Sequence, residues 1–276
     1  MTDREPPEPE LLWPIYARHA AVYMAGGPSP SLYVTDHAFL ATSGARHVDL
    51  NQGALFGAAA ERDARDVVDR ILASELPVLL ACSRRVTEQV APSLVAAGFR
   101  HMPTQEHLFW ARGAPSAAQA ASSFDVRPVE TDADVGAMQA LFQEAHGYAP
   151  ELTGAMFGRT LRTDDSMTGW LAWAGSEPVS FAIVTCTGGS LSMWDVMTPE
   201  RHRRRGAGRA VVGTALAAAG ATAAAGRSPI EQTLFWSSPA GRPLYEAMGF
   251  LVADKLDAFV LGASEADLVA VGASVS

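Results

Sequence analysis

Nine consecutive residues, Arg201 to Arg209 (RHRRRGAGR), hold five arginines, one histidine and two glycines. An apolar strand, Leu191 to Met197, runs into this stretch, and a long helix is expected to leave it. A helix N-terminus presents unpaired N–H groups and a partial positive charge. Gly206 and Gly208 let the backbone approach a bulky anion. Arg203, Arg204, Arg205 and Arg209 add forked donors that match phosphate oxygens. The chemistry this combination suits is a cradle for a polyphosphate. A dinucleotide fingerprint, GxGxxG, fails because Val211 stands where the third glycine belongs and no acid follows on a strand about 20 residues later. A Walker loop fails because it needs a lysine, and Lys255 is the only one in the chain. A nucleic-acid patch lacks interleaved aromatics here, and a plain solvated basic loop does not explain the crowding of arginines.

The elements that must position this loop follow from apolar period and turn residues. In the first half, helices are expected over 11–24, 61–74 and 86–97, and strands over 32–34, 39–41, 77–82 and 107–110. Residues 112–123 are small and polar and read as a linker. In the second half, a strand at 124–129 precedes a helix capped near Glu130–Thr131–Asp132, and a further helix is expected over 149–161. Strands follow at 168–174, 179–186 and 190–198, with hairpin turns at Gly175–Pro178 and Gly188–Gly189. An alanine-rich helix over 206–225, a strand at 231–236, a short helix at 241–248 and strands at 250–253 and 258–261 complete the second half. The two halves echo each other. Each ends in helix, Gly-Phe, turn, strand, at Gly98-Phe99 and Gly249-Phe250, with Leu94 falling opposite Tyr245.

Composition bounds the partners. The chain has 276 residues, 48% hydrophobic and 18% charged, which is ample for a buried core and excludes a disordered acidic protein. A net charge of -9 disfavours nucleic acid and anionic membrane and suits a cationic substrate. The cysteines, Cys82 and Cys186, are distant in sequence, and the histidines are scattered, so neither a disulfide framework nor a metal site is expected. The acidic, proline-rich start is unlike a signal peptide. The uncharged run between Arg209 and Arg227 is too poor in large apolar residues for a membrane span and reads as a helix packed on a sheet. These features place the protein in the cytoplasm.

With these motifs in place, the sequence resembles the GNAT superfamily of acyl-CoA-dependent N-acyltransferases. Its signature, Gln/Arg-x-x-Gly-x-Gly/Ala after the fourth strand, is matched by Arg203-Arg204-Arg205-Gly206-Ala207-Gly208. Its short tyrosine-bearing helix before Gly-Phe is matched by Leu244-Tyr245-Glu246-Ala247-Met248-Gly249-Phe250. The resemblance covers residues 124–261, and the first half is similar to a degenerate copy without basic loop or tyrosine. It implies an α/β (α+β) fold of two GNAT-like lobes, each a mixed, mostly antiparallel twisted sheet flanked by helices. The implied division is a degenerate lobe over 1–112, a linker over 113–123, a catalytic domain over 124–265 and a tail over 266–276.

The resemblance also implies roles. The backbone of Val196, Met197 and Thr198 lines the pantetheine arm of acetyl-CoA where strands four and five splay, and one of their N–H groups polarises the thioester carbonyl. The loop from Arg203 to Ala210 holds the pyrophosphate. Tyr245 is the general acid that protonates the leaving thiolate. Ser238 stands where many relatives have a cofactor-contacting asparagine. For the base, Asp195 is the acid on the strand, although simple alternation turns it away from Trp194 and Val196. Ser192 stands where some relatives carry glutamate, and Glu144, His146 or a water chain are the other options. The implied function is acetyl transfer from acetyl-CoA to a primary amine, of a small cationic molecule, in a ternary complex by a monomer or homodimer. A protein amine as acceptor and a non-catalytic acyl-CoA-binding module are the rival readings.

Overall fold

The structure, a computed structural model, describes residues 5–115, 123–146, 161, 166–224 and 229–263. Its strands are β1 (Ser31–Val34), β2 (Ala38–Thr42), β3 (Asn51–Leu55), β4 (Val78–Ser83), β5 (Arg100–Arg112), β6 (Asp125–Pro128), β7 (Met167–Ala174), β8 (Glu177–Thr187), β9 (Ser190–Met197), β10 (Gln232–Ser237) and β11 (Leu251–Leu261). Its α-helices are α1 (Pro9–Met24), α2 (Ala60–Ser74), α3 (Thr87–Ala96), α4 (Asp132–His146), α5 (Ala207–Ala224) and α6 (Arg242–Ala247). The chain forms two compact units. The first takes Met1–Phe109, Trp236–Pro243 and Leu251–Ser276, and the second Trp110–Phe235 and Leu244–Phe250.

In the first unit the strands lie in the order β1-β2-β3-β4-β11-β5. β3 and β4 are parallel, while β1–β2, β2–β3 and β4–β11 are antiparallel. Ala64, Val67, Val68 and Ile71 recur at helical spacing on α2 and pack with Val90 and Leu94 of α3 onto Leu40, Leu55, Leu80 and Phe259. α1 covers the other face. Its Trp13 and Tyr16 rings stand 6.1 and 5.8 Å from Phe39, whose side chain points opposite to that of Leu40 beside it.

The second unit orders its strands β10-β9-β8-β7-β6, with β9–β10 parallel and the others antiparallel. α4 opens on a capping box. Thr131 Oγ1 accepts from the Asp134 N–H at 3.1 Å, and Asp134 Oδ2 accepts from the Thr131 N–H at 3.0 Å. α4 packs on one face, Phe142 against Phe181 at 5.9 Å, and α5 lies on the other, where Ala218 and Ala219 share a cavity with Val184 and Cys186.

Two expectations change. The chain from 250 to 261 is one strand rather than two, and it does not complete the second half's sheet. β11 pairs antiparallel with β4, from Leu256 opposite Ser83 to Leu261 opposite Val78. All six residues of β4 are buried, so both of its edges need partners, and nothing local in the sequence says which strand supplies the second. The strand β3 has no signature in its Asn-Gln-Gly-Ala-Leu sequence. It is held instead by buried Asn51, whose Nδ2 donates to the carbonyls of Ala45, His47 and Pro77. The helix expected over 149–161 and most of the linker over 113–123 lie outside the described residues.

Candidate active site

The site begins where β9 and β10 part. They pair only at Gln232–Ser190 and Thr233–Leu191, among the described residues, and from Ser192 onward β9 has no ladder on that side. The same strand is bulged. Between Trp194 opposite Ile183 and Met197 opposite Phe181, the two residues Asp195 and Val196 face the single residue Ala182. Asp195 takes φ +47, a left-handed conformation uncommon outside glycine but tolerated by aspartate. The bulge overturns the simple alternation that sets Asp195 against its neighbours: Trp194 and Met197 now share a face, and Asp195 is half-buried.

The end of β9 is pinned from two sides. Ser180 Oγ donates to the Met197 carbonyl at 2.7 Å and lies 2.9 Å from Thr198 Oγ1. Arg203 Nε donates to the Thr198 carbonyl at 3.0 Å. In the sequence, Ser180 shows only as a small hydroxyl within an apolar strand. Arg203, Arg204, Arg205 and Gly206 are all exposed, and among the described residues Arg204 and Arg205 make no hydrogen bond or ion pair. Arg204 sits at φ +63 and Gly206 at φ +90, with open space where a Gly206 Cβ would stand. α5 starts at Ala207, so the N–H groups of Ala207, Gly208 and Arg209 fall in its first turn, and the Ala210 N–H closes it onto Gly206 at 2.9 Å. A Cβ on Gly208 would come within 3.3 Å of Thr198 Oγ1 and 3.7 Å of Leu244.

Not every arginine joins this set. Arg201 pairs with Glu144 of α4 and, at 3.5 Å, with Glu177, so its charge is met by acids and the Glu144 carboxylate is taken by a cation. Arg209 is half-buried and its Nη1 donates to the Ala247 carbonyl at 3.4 Å, a cation at the C-terminal end of α6. Tyr245, 5% exposed, stands edge-on to Phe235 at 4.5 Å and to Phe250 at 6.2 Å. Ser192 is fully buried on β9, and among the described residues its Oγ has no hydrogen-bond partner. Ser238 is exposed and falls among the first unit's residues. Among the described residues no three metal-ligating side chains cluster, and no helix is long and apolar enough to cross a membrane.

No family model and no curated protein matches the sequence. Solved structures do. A GCN5-related N-acetyltransferase of Kribbella flavida superposes with a TM-score of 0.62 at 14% identity, over 91% of this chain and 96% of that one. A GCN5-related N-acetyltransferase of Sphaerobacter thermophilus gives 0.53 at 15% identity over 95% and 96% of the two chains. A tandem GNAT protein of the clavulanic acid biosynthesis pathway gives 0.55 at 12% identity over 88% of each. The chain has the GNAT fold.

Within that GNAT fold the first unit differs from the second at the corresponding place. β3 and β4 stay paired over four positions, Gln52–Leu79 to Leu55–Cys82, so no slot opens between them. The first turn of α2 carries Glu61 and Asp63 around a single arginine, Arg62, which pairs with Asp63. Burial pushes the Asp63 carboxyl up, but hydrogen bonds from Thr35, at 2.6 Å, and Arg62 outweigh it and hold the carboxyl below its usual range. A carboxylate of the chain itself thus sits at the helix end where an incoming anion would have to go.

Proposed function

We propose that the second unit is an N-acetyltransferase that moves the acetyl group of acetyl-CoA to a primary amine of a small cationic molecule, by direct attack in a ternary complex. The observation that carries this reading is the gap between β9 and β10, which ends at the exposed arginines before α5. In this reading Arg203, Arg204, Arg205 and the first-turn N–H groups of Ala207, Gly208 and Arg209 hold the pyrophosphate, with Ala210 closing the turn behind them. Gly206 and Gly208 keep that approach free of side chains. The edge formed by Val196, Met197 and Thr198 carries the pantetheine arm, and one N–H there polarises the thioester carbonyl. The amine nitrogen attacks the carbonyl carbon and the carbon–sulfur bond breaks. The thiolate takes the Tyr245 proton, and the proton lost by the amine passes to Asp195, directly or through water.

The same proposal places the transferase's working residues within 124–265, a stretch that lends β11 to the first unit's sheet, reads 1–112 as a worn copy, and sets the protein in the cytoplasm as a monomer or homodimer. Its partners are acetyl-CoA and the amine, not nucleic acid or membrane. Calorimetry with acetyl-CoA tests the cradle. The wild type binds, and the Arg204→Ala, Arg205→Ala pair weakens binding roughly tenfold or more. No binding by the wild type, or undiminished binding by the pair, overturns the reading. A panel of small amines, followed by thiol release, then finds the acceptor.

A further inference from the structure

α5 meets the second unit's sheet in two different ways. In its first half Val211, Val212, Ala215 and Leu216 are fully buried. Past Leu216 the helix offers only alanine, glycine and threonine. Those side chains are too short to fill the space up to Trp170, Val184 and Cys186 on the sheet, and a cavity of about 470 Å³ is left between them. That volume takes a small organic molecule. Its floor is apolar, from Val184, Ala218 and Ala219. Trp170 stands half-buried beside the floor, its indole held by the Nε1 donation to Thr168 Oγ1 at 3.2 Å. Main-chain bonds fix the walls: the Cys186 N–H donates to the Ser166 carbonyl and the Glu231 N–H to the Gly189 carbonyl, both at 2.8 Å. Glu231 is the one charged residue among the described residues that line the cavity. It is exposed at the rim, and its carboxylate has no ion pair or hydrogen bond among the described residues. Thr222, in the last turn of α5, shares that rim, where the helix dipole is negative.

We propose that this cavity is a second binding site of the second unit, for a small organic ammonium ion whose apolar body fills the floor over Ala218 and Ala219 and whose charge meets Glu231 at the rim. The Trp170 ring attracts the same charge. An anion of the same shape would meet like charge from Glu231 and from the end of α5. The cavity is not the phosphate cradle. At about 1.5 Å per residue, Ala218 lies about 16 Å along α5 from Ala207, and Gly188–Gly189 precede β9 at the end opposite Met197. The site goes beyond acetyl transfer and does not depend on it.

The test follows two reporters that line the cavity, in the intact protein and without acetyl-CoA. One is the Trp170 indole N–H resonance, assigned with Trp170→Phe. The other is the rate at which iodoacetamide alkylates Cys186, read by peptide mass; the other thiol, Cys82, is fully buried. Phenethylamine shifts the resonance and slows the alkylation along one saturation curve. Phenylacetate, the same ring with the opposite charge, does neither at the same concentrations. Glu231→Gln weakens the amine roughly threefold or more, as expected for a charge at an exposed rim. Ala219→Leu fills the floor and removes the resonance shift while the thermal transition stays cooperative; should the larger side chain unfold the protein, Glu231→Gln decides alone. No saturable response in the wild type, an equal response to phenylacetate, or unchanged amine affinity in Glu231→Gln overturns the proposal. Because no acetyl donor is present, failure here leaves the transferase reading standing, and failure of acetyl-CoA to bind leaves this site standing.

Discussion

Tyr245 and Glu106 are both buried polar side chains, and the surroundings of each set an expectation. The Tyr245 ring is gripped edge-on by Phe235 and Phe250, and a phenylalanine keeps those contacts while losing the hydroxyl. Tyr245→Phe is therefore expected to fold normally and to bind acetyl-CoA as the wild type does. Its turnover should fall by about 10²–10⁴, the usual worth of a positioned proton donor. Stopped-flow thiol release beside calorimetry checks this, and unchanged turnover would remove Tyr245 from the chemistry. Glu106 gives a pH prediction. Its carboxyl is raised from 4.5 to about 7 in the folded protein, so the folded state holds the proton more tightly than the unfolded one. That stabilisation is complete below about pH 4.5 and is lost as pH rises through 7. Glu106→Gln keeps a neutral group at every pH. It should match the wild type near pH 5 and exceed it by about 3 kcal/mol at pH 8.5, read from urea midpoints.

At the scale of elements, the slot depends on β9 ending differently from a regular strand. The bulge at Asp195–Val196 shifts the register against β8, and Ser180 and Arg203 fix the strand end that results. α5 then begins close to that end, with only 3.3 Å from a Gly208 Cβ position to Thr198 Oγ1. Gly208→Val adds two further carbons at this contact. The variant is expected to keep its helical circular dichroism and to lose acetyl-CoA binding roughly tenfold or more, because the first turn must move off the β9 end. Undiminished binding would show that this turn does not hold the phosphates. The helices and most strands are legible in the sequence, since a 3.6 or 2.0 period and the glycine turns mark them. The bulge is not, because the left-handed turn at Asp195 depends on how many residues β8 offers opposite it.

At the scale of the molecule, the chain does not divide at its midpoint. The first unit takes its strand β11 from residues 251–261, so a fragment ending at 112 lacks the strand that covers β4. Such a fragment exposes one whole edge of a strand whose residues are all buried, and it is expected to aggregate rather than give a cooperative thermal transition. Adding residues 250–263 in trans as a peptide should restore solubility; a soluble, cooperatively folding 1–112 fragment would refute this. What the sequence by itself determined is local: the basic glycine loop, the helix that follows it, the tyrosine before Gly-Phe, and the likeness of the two halves. Those are written in residue types a few positions apart, where steric preference and charge act directly. The tertiary structure alone decided that β11 joins β4, that β9 bulges and parts from β10, that Arg201 is taken by Glu144 and Glu177, and that Glu106 lies buried without a cation. Each of these depends on which residues distant in the chain come together, and strand edges, ion pairs and dielectric surroundings are properties of that meeting rather than of any short stretch.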